Sequence, residues 1–418
     1  MNTPLPQPAL HDSLLKLEQW MVASDYSAYD TFDGLSSPLA PVFTLNHPFL
    51  RRVWQQGVRR FPINLRPLLG IKPVTGSKAM GFFAQGYLRL FQITGQPEYR
   101  EKMRHCLDWL VAHRCPEFQG NAWGNHFDYE ARGGRIPRGT PTVVWTSLIG
   151  HAFLDAYDVF AEPKDLEVAQ GVADFILNEL GWTDTGRDIC LNYTPDNGGK
   201  PVKGEHGIHN SNVLGAGFLA RLHSHCPNPG ALVHAEKAVA FTVRDQLPNG
   251  AWYYGNHPRW HWVDSFHTGY NLEAIHHYIH GSGDAQFQTA LEKGYRFFLN
   301  TFFGEDGTPR YYDRKTRPLD IQCASQGIQT LVNLRTLDER SIPTALKVAR
   351  WTIANMQDPG GYFYYRKYPL ITNTTPTLHW GQATMFAALA LLLSRLDSDR
   401  QSPPSPARTI GRERVWVR

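Results

Sequence analysis

The stretch "QLPNGAWYYG" (residues 246–255) has a close copy later in the chain, "QDPGGYFYYR" (357–366). Each contains a Gln, then a turn, then a Gly with an aromatic residue two positions after it. Looser copies are found at 120–129, 187–196 and 304–313, so the pattern returns at intervals of roughly 50 to 70 residues. Such self-similarity is the signature of a repeat architecture. The stretch therefore marks the turn of a repeated structural unit.

The segments on either side of these turns have helical periodicity. The segment "GFFAQGYLRLFQITG" (81–95) spaces apolar residues three and four apart and ends on a Gly, and "YREKMRHCLDWLVAHR" (99–114) ends on basic residues, which suit a helix C-terminus. The same pattern is found at 146–161, 165–180, 212–225, 231–246, 269–281, 285–303, 323–337, 342–357 and 381–396. Strand-like alternation is confined to short pieces, so the fold class is all-α.

Each repeated unit is a helix, a Gly-aromatic turn and a second helix, and about six such hairpins fit the length. An open solenoid needs polar capping repeats at its ends, and the chain has no obvious ones. The sequence therefore predicts a closed (α/α)6 toroid over residues 1–396, as one domain, with the Gly-aromatic turns at one end of the ring. Residues 397–418 combine Ser and Pro with charges and are predicted to form a mobile tail.

Composition excludes several classes of protein. With 418 residues, 42% hydrophobic and 12% aromatic, the chain is too apolar for a disordered protein. A net charge of +4 without a long basic run does not indicate nucleic-acid binding, and it suits a small acidic substrate equally well. No secretory signal or membrane-spanning run is recognised, and the five Cys form no CxxC pair. We expect free thiols and a cytoplasmic location.

The segment "KGEHGIHNSN" (203–212) directly precedes a predicted helix. Its polar members are Glu205, His206, His209, Asn210 and Asn212. Helix capping by Asn210 or Ser211 accounts for one residue and leaves a surplus of two His and a Glu. The surplus indicates either a metal site or a catalytic and sugar-binding cluster, although the spacing matches no recognised metalloprotease frame. We assign no metal or cofactor, and count Glu205 and His209 as catalytic candidates and Asn210 and Asn212 as substrate-binding candidates.

The segment "RWHWVDSFHTGYNLEAI" (259–275) is richer still in aromatic and titratable residues. Asp264 and His267 are three positions apart, which favours a pair on one helix face, and Tyr270 follows one turn later. Either this pair only anchors the loop, or it forms a proton-handling pair. In the second case Trp260 and Trp262 offer stacking faces for a sugar, and Arg259 pairs with an acidic group.

Two further segments supply candidates for the mouth of the ring. The loop that begins at residue 123 contributes Trp123, His126, Asp128 and Arg138, and "LHWGQATMF" (378–386) contributes His379 and Trp380. The N-terminal "YDTFDG" (29–34) adds Asp30 and Asp33 beside the last helix. Turn formation is the simpler role for these two Asp residues, yet Asp33 is retained as a substrate-binding candidate.

Five segments resemble an uncharacterised group of (α/α)6-toroid proteins encoded in bacterial polysaccharide gene clusters. They are "YDTFDGLSSPL", "NLRPLLGIKPVTGSKAMGFFAQGYLRL", "RGTPTVVWTSLIGHAFLDAY", "HNSNVLGAGFLAR" and "WVDSFHTGYNLEAI". More distantly, the turns resemble those of glucuronyl C5-epimerase helical domains, toroidal polysaccharide lyases and the squalene cyclase and prenyltransferase toroids. The chain lacks the DxDD acid motif of terpene cyclases. The turn "IKPVTGSKAM" departs from the Asn-Pro-Lys pattern of the group, so a role for Lys78 is not carried over.

No phosphate loop, dinucleotide fingerprint or GxSxG motif is present. The resemblance implies an enzyme that processes a uronic-acid-containing glycan by proton abstraction, as an epimerase or a lyase, in association with polysaccharide assembly proteins. A glycoside hydrolase with a pair of carboxylates is one alternative. A non-catalytic glycan-binding or scaffold protein is the other. Convergence of Asp264, His267, Tyr270 and a second acid on one cleft would favour catalysis.

Overall fold

The computed structural model describes residues 7–195 and 207–401. The described helices are α1 (Gln7–Ala23), α2 (Ala40–Thr44), α3 (Pro48–Arg60), α4 (Ser77–Thr94), α5 (Pro97–Ala112), α6 (Val143–Phe160), α7 (Pro163–Phe175), α8 (His209–His223), α9 (Pro229–Arg244), α10 (Ser265–Ser282), α11 (Gln288–Thr301), α12 (Ile321–Asn333), α13 (Ser341–Met356) and α14 (Thr384–Gln401). Short π-helical turns at Ile176–Leu180 and Leu378–Ala383 adjoin α7 and α14.

Seven strands of two or three residues lie in the connections. They are β1 (Tyr129–Glu130), β2 (Arg135–Ile136), β3 (Trp182–Asp184), β4 (Ile189–Leu191), β5 (Leu319–Asp320), β6 (Arg366–Lys367) and β7 (Thr372–Asn373). They form the antiparallel pairs β1–β2 and β3–β4 and the antiparallel three-stranded sheet β5–β6–β7. These small sheets brace loops, and the core is helical.

The helices form two concentric rings. The inner ring is α4, α6, α8, α10, α12 and α14, in which each helix packs on the next and α14 packs back on α4. The outer helices α5, α7, α9, α11, α13 and α1 each pack mainly on one inner helix, and α7, α9 and α13 also contact a second one. At the contact between α8 and α10 a Cβ built on Gly217 would lie 2.6 Å from the Ala274 carbonyl oxygen, so only Gly permits this approach. The predicted (α/α)6 toroid is confirmed.

The repeated Gln performs the same task in both close copies of the turn. Gln246 Nε2 donates to the Gly250 carbonyl at 3.1 Å and to Ala290 of the next outer helix at 2.9 Å. Gln357 Nε2 donates to the Gly361 carbonyl at 2.9 Å and to Ser13 of α1 at 3.0 Å. The second set joins the last repeat to the first outer helix, so it helps to close the ring.

Long connections lead from each outer helix to the following inner helix, and short ones lead back outward. The long ones span residues 24–76, 113–142, 176–208, 245–264, 302–320 and 357–383, and the short ones span 95–96, 161–162, 224–228, 283–287 and 334–340. Because the helices alternate between the rings, the long connections lie at one end in the described ranges, which for the third connection are 176–195 and 207–208. The Gly-aromatic turns are therefore at one end of the toroid, as predicted, and this end carries the loops that can form a site.

The helices of the structure differ from those predicted by the periodicity near both ends of the described chain. The periodicity did not reveal α1, α2 and α3, and α14 continues five residues into the segment predicted as a tail. Residues 402–418 lie outside the described part, so the domain boundary stays a prediction. No helix in the described ranges is long and apolar enough to cross a bilayer. The five Cys are unpaired, and four of them are buried.

Candidate active site

A cavity of about 840 Å³ opens at the end of the toroid that carries the long connections. It is lined by side chains from five of the long loops, from the start of α10, from the π-helical turn before α14 and from one face of α3. Its titratable and aromatic lining includes Asp30, Phe32, Arg52, Arg59, Arg60, Tyr129, Glu130, Arg132, Tyr254, Trp260, Trp262, Asp264, His267, Tyr311, Tyr312, Asp313, Arg314, Lys315, His379 and Trp380. A cavity of this size accommodates an oligosaccharide.

Asp264 and His267 form a close pair in this cavity. Asp264 is the N-cap of α10, and its Oδ1 accepts from the backbone N–H of His267 at 3.0 Å. Its Oδ2 lies 2.7 Å from His267 Nδ1 and also accepts from Trp262 Nε1 at 3.0 Å. Since a carboxylate accepts this hydrogen bond, His267 Nδ1 is the donor, and Nε2 is the ring nitrogen that remains for proton exchange. The Asp therefore anchors the loop and orients the imidazole at once.

A second pair, Asp30 and His379, lies in the same cavity. Asp30 Oδ2 is 2.6 Å from His379 Nδ1, and both residues are buried. Burial by itself would raise the pKa of Asp30, but the adjacent His379, which also donates a hydrogen bond to the carboxylate, outweighs this effect and holds the pKa below its ordinary value. Burial lowers the pKa of His379, with Asp30 opposing, so its neutral form predominates at neutral pH. His379 Nε2 is buried and has no hydrogen-bond partner in the described part of the chain.

Aromatic rings connect the two pairs. Trp380 lies 5.4 Å from His379 and 5.8 Å from Phe266, measured between ring centroids, and Phe266 lies 4.0 Å from His267. Both His residues lie at the starts of inner helices, at the same end of the ring. The cavity therefore presents two imidazoles, each held through Nδ1 by a carboxylate.

A lysine lies beneath the second pair. Lys78, at the start of α4, borders a small recess together with Asp30, His126 and His379. Burial lowers the pKa of Lys78 to about 7, with the charge of Asp30 opposing. Lys78 lies in the turn that departs from the pattern of the resembling group, so no role was carried over to it. Its position below the Asp30–His379 pair makes it part of the electrostatic environment of the site.

One wall of the cavity is aromatic. Trp262 stacks on Tyr254 with centroids 4.6 Å apart and planes 12° from parallel, and Trp260 meets Trp262 edge-on. The Arg132 guanidinium lies 4.7 Å from the centroid of the Trp262 ring. Both Trp260 and Trp262 border the cavity, but Trp260 is buried and Tyr254 covers part of Trp262, so their predicted role in binding sugar stays a prediction.

The cavity is lined by more Arg and Lys side chains than Asp and Glu side chains. Six basic side chains line it, namely Arg52, Arg59, Arg60, Arg132, Arg314 and Lys315. Its four carboxylates each have a partner: Asp30 and Asp264 pair with His residues, Glu130 lies 3.2 Å from Arg51, and Asp313 lies 3.5 Å from Arg314. The surplus of positive charge favours an anionic ligand.

The structure corrects several predicted site residues on α8 and α10. Tyr270 does not line the cavity, because its ring is buried and its hydroxyl accepts from Gln322 Nε2 at 2.9 Å. His209, Asn210 and Asn212 are buried in the wall of the toroid. Asn212 accepts from the Leu191 N–H and donates to the Ala238 carbonyl and to Thr242. We therefore reassign these four residues to structural roles. Glu205 lies outside the described residues.

Other candidates also stabilise the loops instead of lining the cavity. Trp123 is a core residue that donates to the Leu110 carbonyl. Asp128 accepts from the Arg138 backbone N–H and pairs with Arg51 and Arg135. Asp33 is held by Arg66 at 2.7 Å. Arg138 and Arg259 are exposed outside the lining, and His126 borders only the small recess. Their polar groups are used to fix loop conformation.

Sequence reasoning missed several residues of the cavity. Asp30 was interpreted as a turn residue, and Arg59, Tyr254 and Tyr311 were not selected. The segment "WYYG" that contains Tyr254 was used only as a repeat signal. Asp30 and His379 are 349 positions apart, so no local spacing indicates their contact. The juxtaposition of "YDTFDG" and "LHWGQ" at ring closure was the one available signal.

Solved structures with the same architecture include sugar-processing enzymes. A cellobiose 2-epimerase from Bacillus thermoamylovorans B4167 aligns with a TM-score of 0.60 at 11% identity, over 77% of this chain and 88% of that one. A D-mannose isomerase aligns with a TM-score of 0.56 at 11% identity, over 77% and 87%. A GH76 α-mannanase from Bacteroides thetaiotaomicron aligns with a TM-score of 0.56 at 12% identity, over 78% of this chain and 87% of that one. No family model and no curated protein matches the chain. At these identities the comparisons establish the toroid fold alone.

Proposed function

We propose that this protein is a carbohydrate-processing enzyme that transfers a proton at a carbon next to a carboxylate or carbonyl of an acidic glycan, as an epimerase. The observation that carries the proposal is the pair of His residues in one cavity, each oriented through Nδ1 by an Asp at 2.6–2.7 Å. Because Nδ1 of each ring is held by a carboxylate, proton transfer would fall to the Nε2 atoms, and the buried Nε2 of His379 must be reached by the bound substrate. The sugar epimerase and isomerase among the structural neighbours support the same class of chemistry.

His379 is the base in the proposed reaction, because burial lowers its pKa and keeps it neutral. It removes the proton from the carbon, and the C–H electron pair moves toward the carbonyl or carboxylate oxygen to give an enediolate-like state. Basic side chains of the lining stabilise the added negative charge. His267, protonated and stabilised by Asp264, then returns a proton to the other face of the carbon. The reverse reaction exchanges the two roles.

The cavity lining supports one substrate class. An apolar face of a pyranose ring packs on the exposed part of Trp262, and the guanidinium groups of Arg52, Arg59 and Arg132 pair with a sugar carboxylate. These features favour a uronic-acid-containing glycan over a neutral one. The resemblance in the five segments above further supports a role in bacterial polysaccharide biosynthesis, in the cytoplasm and together with assembly proteins.

The alternatives differ in what they require of the cavity. Hydrolysis needs two carboxylates that flank the bond, one of them protonated, and each of the four described lining carboxylates already holds a basic partner. A binding protein needs no oriented imidazoles. A lyase would use the same base and acid but would break the bond to the next sugar. The geometry supports proton transfer over hydrolysis or binding, and the product distinguishes an epimerase from a lyase.

The test is incubation of the full chain with oligosaccharides ending in glucuronic acid, with cellobiose and D-mannose as neutral probes. Products are separated by chromatography and identified by NMR. The proposal predicts an inverted centre in an acidic substrate and no product with the His267→Gln, His379→Gln double variant. Unsaturated sugars would assign a lyase, and shortened chains would assign a hydrolase. Tight binding of the panel without any product would overturn the enzymatic assignment.

A further inference from the structure

The exposed apolar side chains of this protein are concentrated beside the cavity. Residues 38–74, which contain α2 and α3, are called the rim segment here. This segment holds eleven of the seventeen large apolar side chains that are exposed in the described residues. They are Leu39, Val42, Phe43, Leu45, Phe49, Leu50, Val53, Phe61, Ile63, Leu68 and Val74. Leu45 and Leu68 are 79% and 80% exposed. A patch of this kind marks a surface that is covered in use.

The rim segment is continuous with the mouth of the cavity. Phe49 and Val53 of α3 belong to the cavity lining. At the other end of α3, Asn373 Nδ2 donates to the Phe61 carbonyl at 2.8 Å, which joins the segment to the β6–β7 hairpin. The tip of that hairpin carries Leu370, which is fully exposed, and Ile371. The apolar surface therefore extends along one side of the cavity mouth.

The charged side chains around this surface are predominantly basic. Residues 34–97 contain no Asp or Glu. Of the basic residues in the rim segment, Arg51 and Arg66 are used internally in ion pairs, whereas Arg60 and Lys72 are exposed. The neighbouring loop at 314–317 adds exposed Arg314, Lys315 and Arg317. An apolar surface flanked by cationic side chains is typical of helices that lie in a membrane interface.

We propose that the rim segment and the tip of the β6–β7 hairpin dock onto an anionic lipid surface, with the cavity mouth at the bilayer. Apolar side chains such as Leu45, Leu68 and Leu370 enter the boundary between headgroups and acyl chains, and the exposed Arg and Lys residues attract the lipid phosphates. A symmetric dimer through this face is disfavoured, because each copy would place its basic side chains against those of the other. The proposal does not depend on the proposed catalytic activity.

The test compares two triple variants in a vesicle sedimentation assay. The rim variant is Val42→Ser, Leu45→Asn, Leu68→Ser, in which Asn is chosen because Leu45 has a positive φ of 48°. None of the three residues lines the cavity. The matched control is Val22→Ser, Val111→Ser, Val233→Ser, which removes exposed Val side chains from the outer helices α1, α5 and α9. The vesicles are phosphatidylcholine alone or phosphatidylcholine with phosphatidylglycerol.

The wild type and the control are expected to sediment with the phosphatidylglycerol vesicles, more weakly as NaCl is raised, and the rim variant to bind at least about tenfold more weakly. Melting temperature and turnover of a soluble substrate should be the same in all three proteins. Absence of wild-type binding, or equal binding by both variants, would overturn the proposal. Light scattering that shows a wild-type dimer lost only in the rim variant would assign the face to a second copy instead and would also overturn it.

Discussion

The inner helices α8 and α10 are neighbours in the ring, and each has a histidine in its first turn, among polar side chains at the loop end of the toroid. The His209 side chain is 2% exposed, and its Nε2 lies 3.7 Å from Asp245. The His267 side chain is 20% exposed, and its Nδ1 lies 2.7 Å from Asp264. His267 lines the cavity and His209 does not.

The difference lies in which layer the first turn of each helix faces. At the start of α8, His209 packs on Phe241 of the outer helix α9, and Asn212 hydrogen-bonds to α9 and β4. At the start of α10, Asp264 caps the helix and holds His267 at the cavity. Extra polar residues at the start of an inner helix therefore either hydrogen-bond to the outer helices or line the cavity. The direction of the side chains decides between them.

The largest expected effect is a loss of turnover on replacement of His267 but not of His209. Replacement of His267 by Gln should lower kcat about a hundred- to ten-thousand-fold, because a proton-transfer group is lost, and should leave the melting temperature nearly unchanged. His209→Gln is the matched variant and should retain turnover. The measurement is kcat on the acidic substrate, alongside a thermal melt of each protein. Equal losses of turnover in both variants would remove the distinction between the two helix starts.

The carboxylate partners give the next largest effect. Asp264→Asn and Asp30→Asn should each lower kcat about a hundredfold, because Asn no longer stabilises a protonated imidazole through Nδ1. Asn is as good an N-cap as Asp, so Asp264→Asn should keep the stability of α10. The readouts are kcat, KM and the pH profile of kcat. A loss of stability with a normal pH profile would show that Asp264 is only a loop anchor.

Replacement of Asn212 tests whether the polar residues at the start of α8 stabilise the fold and take no part in turnover. Its side chain makes three buried hydrogen bonds, to Leu191, Ala238 and Thr242. Asn212→Ala leaves these partners unsatisfied and should lower the free energy of unfolding by about 2–3 kcal/mol, with unchanged turnover by the folded protein. Urea denaturation and kcat together check this. A fall in kcat at full stability would return Asn212 to the site.

The buried His209 should also affect stability through pH. Burial, assisted by Arg244, lowers its pKa to about 3 from the ordinary value of 6.5. The unfolded chain therefore takes up this proton at a higher pH than the folded chain. The contribution of neutral His209 to the free energy of unfolding is fully present above about pH 6.5 and declines as the pH falls toward 3. His209→Gln should flatten the decline in urea unfolding measured across this window, and an unchanged slope would contradict the assignment.

The sequence predicts those features that depend on local spacing. Helical periodicity and the Gln-to-aromatic turn indicate the toroid, because the same Gln contacts recur at 246 and 357. The Asp264–His267 pair is three positions apart and was found for the same reason. The Asp30–His379 pair forms only when the ring closes and was not found. The orientation of α8 depends on packing against α9, so spacing alone could not exclude His209.

The central claim is that two Asp-held imidazoles exchange a proton with a sugar carbon, and solvent isotope exchange tests it most directly. The full chain is incubated in D₂O with a glucuronic-acid-terminated oligosaccharide, and mass spectrometry and NMR locate any deuterium. The account predicts one deuterium at the inverted carbon, with loss of inversion in both His267→Gln and His379→Gln and normal exchange in His209→Gln. Inverted product without deuterium, or full activity in His267→Gln and His379→Gln, would contradict it.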